Sequence, residues 1–76
     1  MELNKLRKEK NISQFYLAKK LNVKQSCISF WEKGKREPNL TQIYNLSKIL
    51  GCSIDEIVMA LLEAKHQNAT KKEMKQ

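Results

Sequence analysis

Gly34, Pro38 and Gly51 are the only glycines and proline in a chain of 76 residues. The stretches around them carry apolar residues at three- and four-residue spacing, and no alternating run of useful length interrupts the pattern. With so few breakers and no internal repeat, the chain reads as all-α. Its length points to one domain. A body this small buries only about 60% of the surface its unfolded chain exposes, so its core is marginal and sharp helix caps or a partner subunit would help it.

Five short helices follow from the pattern. The first is expected over Glu2 to Lys10, with Leu3 and Leu6 inward and Ile12 packed beneath. Ser13 is a good N-cap for the second, whose hydroxyl can accept from an orphan amide. That helix runs to about Lys20, with Leu17, Ala18 and Leu21 on one inward face. Asn22 suits the left-handed conformation that ends a helix. The third helix is expected over Lys24 to Lys33, ended by Gly34. The fourth opens after Pro38 with Asn39 as N-cap and ends at Gly51, its apolar face being Leu40, Ile43, Tyr44, Leu46, Ile49 and Leu50. The fifth opens on Ser53-Ile54-Asp55-Glu56, a capping box in which Ser53 and Glu56 satisfy each other's orphan donors. Ile54, Ile57, Val58, Leu61 and Leu62 follow at helical spacing. These elements define a domain over residues 1–62. Residues 63–76 are a polar, basic C-terminal tail, either frayed or extending the fifth helix.

Charge is unevenly placed. Residues 1–36 hold ten Lys or Arg against three acids, residues 37–62 one Lys against three acids, and residues 63–76 four Lys against two acids. The excess therefore belongs to the first half, which suggests a polyanion partner, nucleic acid first.

The third helix has two unlike faces. Lys24, Cys27, Ile28 and Trp31 fall at i, i+3, i+4 and i+7, a stripe turned to the core with the stem of Lys24 at its rim. Gln25, Ser26, Ser29, Phe30 and Lys33 face out. The outward set is short, polar and uncharged except at its end, where a merely solvated helix would carry Glu and Lys. Gln can bond adenine in two places, Ser can donate or accept, and an apolar ring suits the thymine methyl. The plainer reading of Phe30 is a surface hydrophobe or a packing contact with the tail.

The run ISQFYLAKKLNVKQSCISFWEKGKREPNLTQIYNLSKILGCSIDEIV resembles the helix-turn-helix domain of the phage-repressor (Cro and lambda-type repressor, XRE) family. The matching residues are Ser13-Gln14, Leu17-Ala18, Val23, Ile28-Ser29, Trp31-Glu32, Gly34-Lys35, Pro38, Leu46, Leu50-Gly51 and Ser53-Ile54-Asp55. The likeness covers about residues 3–62. It implies a five-helix, lambda-repressor-like domain with the helix-turn-helix in helices 2 and 3, and the third helix in the major groove. It implies that Gln14 meets a phosphate and braces the third helix, and that Lys24, Gln25, Ser26, Ser29 and Phe30 contact bases or backbone. Lys35 and Arg36 match a backbone-contacting segment, and Lys33 ends the outward face beside them as a further phosphate candidate. Arg7 and Glu32 match a structural pair that ties the first helix to the end of the third. The sequence departs from the family at Asn22, where Gly is usual, at Phe15 and Tyr16, where acids are common, and at Lys24 and Phe30, where residues are more often small or polar.

The remaining residues exclude several classes. There is no nucleophile with a base and orienter, no Gly-rich phosphate loop and no clustered metal ligands, so neither an enzyme nor a cofactor is expected. Cys27 and Cys52 form no ligand pair and read as small apolar fillers. No small-molecule ligand is evident. The N-terminus MELNKLRKEKN has no apolar signal core and no run reaches the ~18 residues of a membrane span, which argues for the cytoplasm. The fifth helix is poor in positive charge and rich in apolar residues, so Met59 and Leu62 are expected at a homodimer interface. The function these features favour is a sequence-specific double-stranded DNA-binding regulator, a repressor acting as a homodimer on an inverted repeat. The alternatives are the antitoxin of a toxin–antitoxin pair and a restriction-controller protein.

Overall fold

The computed structural model describes residues 2–74, and side chains as far as Gln67. It contains α1 (Leu3–Glu9), α2 (Gln14–Leu21), α3 (Gln25–Lys33), α4 (Leu40–Leu50) and α5 (Ile54–Met74), with no strand among the described residues. The architecture is all-α, as the spacing of apolar residues and breakers predicts.

Local chemistry sets most of the boundaries. Ser13 accepts from the amide of Tyr16 at the start of α2. Asn39 caps α4 through a full capping box, its side chain accepting from the Gln42 amide while the Gln42 side chain accepts from the Asn39 amide. Ser53 and Glu56 form the box that opens α5. Asn22 ends α2 in the left-handed conformation at φ 57°. Asn11, also left-handed at φ 58°, turns the chain between α1 and α2, a second use of asparagine's tolerance for this region.

Leu3, Leu17, Ile28, Leu46, Leu50 and Ile57 are fully buried and bring all five helices to one core, with Trp31 beside them. Two apolar faces differ from the sequence expectation. In α4 the buried residues are Leu46, Ser47 and Leu50, while Leu40 is 82% exposed and Tyr44 is also exposed. The core stripe is rotated toward Ser47, whose hydroxyl is satisfied by donating to the Tyr44 carbonyl at 2.6 Å, so its burial leaves no orphan group. In α5 the buried stripe is Ile57, Ala60, Leu61 and Ala64, while Ile54 and Leu62 are exposed.

Small residues on the inner side of α5 permit a close approach. A Cβ on Gly34, at the end of α3, would collide with the Ala64 carbonyl. Lys65 on the next position pairs with Glu37 at 2.7 Å. Thus α5 does not stop packing at Leu62: its next turn holds the segment that links α3 to α4.

Candidate nucleic-acid interface

Asn22 to Lys24 form the short turn between α2 and α3, and the Val23 amide donates back to the Ala18 carbonyl. Leu17 and Ala18 below and Ile28 and Trp31 above are buried, so the two helices are locked at a fixed angle. Lys24 is the N-cap of α3 rather than its first residue, and it is exposed; its side chain makes no capping bond and does not join the core stripe. Gln25 and Ser26 are exposed in the first turn, and Ser29 and Phe30 are half-buried one turn later. Lys33, Lys35 and Arg36 stand exposed at the far end.

A chain of polar contacts organises the near end. Arg7 Nε donates to Glu32 Oε2 at 2.7 Å, and Arg7 Nη1 donates to the Ile12 carbonyl at 2.9 Å. One side chain thereby joins α1, the turn after it and α3. Glu32 Oε1 also accepts from Gln14 Nε2 at 2.8 Å. A carboxylate only accepts, so it turns the amide group of Gln14 inward and the Gln14 carbonyl oxygen toward α3. That oxygen accepts from Gln25 Nε2 at 3.4 Å. The Glu32 carboxylate thus orients two glutamines in sequence, and Gln25 keeps its carbonyl oxygen and a second N–H for an outside partner. The Gln14–Gln25 contact spans 11 residues and has no signal in the sequence beyond the identity of the two side chains.

Phe30 departs from the simple picture of an outward ring. It is half-buried, and the Arg36 guanidinium lies 5.6 Å from its centroid. Phe15 and Tyr16 on α2 are exposed, with the Lys20 ammonium 5.5 Å from the Tyr16 ring.

The electrostatics follow from few residues. Between Lys10 and Arg36 the only acid is Glu32. Its carboxylate is largely buried and engaged by Arg7, so it does little to offset the surrounding lysines. The dimer candidates Met59 and Leu62 lie on α5, exposed at 57% and 54%. Beside Leu62 runs a groove of about 200 Å³ lined by Glu37, Pro38, Ile43, Val58, Leu61, Leu62 and Lys65. Among the described residues no group of His, Cys, Asp and Glu could hold a metal, and no helix is long and apolar enough to cross a membrane. Both cysteines are free, and burial pushes the Cys52 thiol above its ordinary value, with Glu56 adding to the effect and Lys10 opposing it.

A family model described as helix-turn-helix matches residues 3–57. The chain is similar to an HTH-type transcriptional activator, BcrR, of Enterococcus faecalis, 36% identical over 93% of this chain and 37% of that protein. It is similar to an uncharacterized HTH-type transcriptional regulator, YqaE, of Bacillus subtilis, 36% identical over 74% of this chain and 48% of that protein. A third relative, an uncharacterized HTH-type transcriptional regulator of Archaeoglobus fulgidus, is 33% identical over 72% of this chain and 78% of that protein. The chain spans less than half the length of the first two. No solved structure matches at a significant level. From the capped α2, the left-handed turn at Asn22, the docked α3 and a family match over most of its length, the chain belongs to the phage-repressor-like (XRE-type) family of helix-turn-helix DNA-binding proteins.

Proposed function

We propose that this chain is a sequence-specific double-stranded DNA-binding transcriptional regulator of the cytoplasm, a repressor that acts as a homodimer on an inverted-repeat operator. The proposed activity is binding, not catalysis. The observation that carries it is the oriented Gln25 side chain at the head of an uncharged, outward face of α3. Gln25 offers an acceptor and a donor side by side, the pair that matches N6 and N7 of adenine in the major groove. Ser26 and Ser29 extend the polar surface along the helix, with the ring of Phe30 beside Ser29. Phosphate contacts set the register of such a helix and base contacts specify the sequence. Lys24 stands with Gln25 at the head of the reading face, and Gln14, Lys33, Lys35 and Arg36 surround that face and supply the positioning contacts. Arg7 and Glu32 act structurally, by fixing Gln14.

A single recognition helix reads only a few base pairs. A two-fold axis gives two half-sites about 34 Å apart on one side of the duplex. The exposed Met59 and Leu62, with the apolar groove next to Leu62, support α5 as the surface across which two copies meet. Selection of bound duplexes from a random pool at near-physiological salt tests the reading. An enriched inverted repeat with that spacing is expected. A pool that enriches nothing overturns the sequence-reading role and favours a protein partner instead.

A further inference from the structure

Phe30 sits on the outward face of α3, yet it is half-buried, and the group recorded over its ring is the Arg36 guanidinium, 5.6 Å from the centroid. The backbone leading to Arg36 is held by two contacts. Gly34 is left-handed at φ 75° and lies against the Ala64 carbonyl, and the Lys35 amide donates to the Phe30 carbonyl at 2.9 Å. Glu37 is held by Lys65 at 2.7 Å. The loop therefore turns back along α3 and brings Arg36 to the ring of Phe30, six residues earlier. The two nearest acids in sequence are already engaged, Glu37 by Lys65 and Glu32 by Arg7.

We propose that Phe30 works through Arg36: it is a positioning residue that holds the guanidinium at a DNA phosphate beside α3, and it does not itself read a base. This rests on the DNA-binding reading above. An arginine on an exposed loop samples many rotamers, and ordering it on DNA costs entropy. Stacking on the ring removes part of that freedom before DNA arrives. A guanidinium stacks through its face and donates through its edge, so the ring and a phosphate can be served together, whereas an ammonium has no such geometry. With Arg36 over one face, the ring has less free surface to offer a thymine methyl.

The test is binding of the full chain to its selected operator, and to single-base variants of it, over a range of salt. Arg36→Ala is expected to flatten the salt slope by about one unit. Phe30→Leu, which keeps the apolar volume, is expected to weaken binding to every duplex by roughly two- to tenfold without changing base preference. In the Arg36→Ala background the same change has little further effect, and Phe30→Tyr, which restores a ring, retains affinity. Arg36→Lys keeps the charge and leaves the core untouched, and it is expected to lose affinity as Phe30→Leu does. A changed preference at one base pair in Phe30→Leu, or full additivity with Arg36→Ala, overturns the proposal and returns Phe30 to base reading. A wild-type protein that binds no duplex in preference to another overturns the DNA reading itself, which the variants' behaviour does not imitate.

Discussion

Gln14 and Gln25 are joined by a hydrogen bond at 3.4 Å across the turn between α2 and α3, and its direction is set from below by Glu32. Because Glu32 is also bonded to Arg7, the orientation of the leading side chain on α3 traces back to the end of α1. The side chains of Arg7 and Glu32 are each only 9% exposed. Removing one partner leaves the other charge without its match, which costs about 3–5 kcal/mol for a well-buried pair and somewhat less for one at this depth. Glu32→Ala is therefore expected to lower stability in urea unfolding far more than a typical surface change. Arg7→Leu combined with Glu32→Leu is expected to lose less than Glu32→Ala alone. A loss below about 0.5 kcal/mol in the single variant, the range of surface substitutions, contradicts the structural role of the pair.

Gly34 and Gly51 separate two costs that are usually mixed. Both are left-handed, at φ 75° and 65°. Only Gly34 has backbone in the way of a Cβ, the Ala64 carbonyl, while a Cβ at Gly51 meets nothing nearer than the Lys10 side chain at 3.7 Å. Gly51→Ala is expected to cost about 1–2 kcal/mol, the price of the left-handed conformation alone. Gly34→Ala is expected to exceed that clearly, since α5 must shift as well. Equal losses in thermal unfolding contradict the tight seat of α5 on the end of α3.

Lys35 stands exposed immediately after Gly34. Lys35→Ala is expected to weaken binding to all duplexes alike and to flatten the salt dependence by about one unit, because one fewer phosphate is neutralised. Binding measured from low to physiological salt checks this, and an unchanged slope removes Lys35 from the phosphate contacts.

The exposed Leu62 borders the groove formed with Pro38, Ile43 and Val58. Leu62→Asp places a charge on the proposed subunit interface but not in the core of one subunit. Sedimentation is expected to show monomers, operator binding is expected to weaken, and the helical circular dichroism is expected to persist. Unfolding without any change in assembly contradicts the interface.

The helices were legible because their ends are chemical. Ser13, Asn22, Gly34, Asn39, Gly51 and Ser53 each stand where the backbone needs a cap or a left-handed residue, and each performs that role. The rotation of α4 and α5 was less legible, because a periodic stripe counts large side chains. The buried side of α5 also carries Ala60 and Ala64, and at Ala64 a small residue lies inside because the Gly34 backbone comes close. In α4, Leu40 and Tyr44, apolar by type, lie outside the core while Ser47, satisfied by the Tyr44 carbonyl, lies inside it. At the site, the residue types on α3 were visible and the resemblance pointed to the Arg7–Glu32 pair and to Gln14 as a brace, but the Gln14–Gln25 and Phe30–Arg36 contacts had no signal. Gln14 and Gln25 meet only once two helices have docked, and Arg36 reaches the Phe30 ring only because the loop after Gly34 folds back.

In the proposed function α3 reads base edges through an oriented Gln25. The most direct measurement compares Gln25→Ala with the wild type on the selected operator and on every single-base variant of it. A loss of about 1–3 kcal/mol on the operator is expected, with relaxed preference at one base pair in each half-site and other positions read as before. An equal loss on all duplexes, with preference unchanged everywhere, contradicts it and makes Gln25 a contact that does not read sequence.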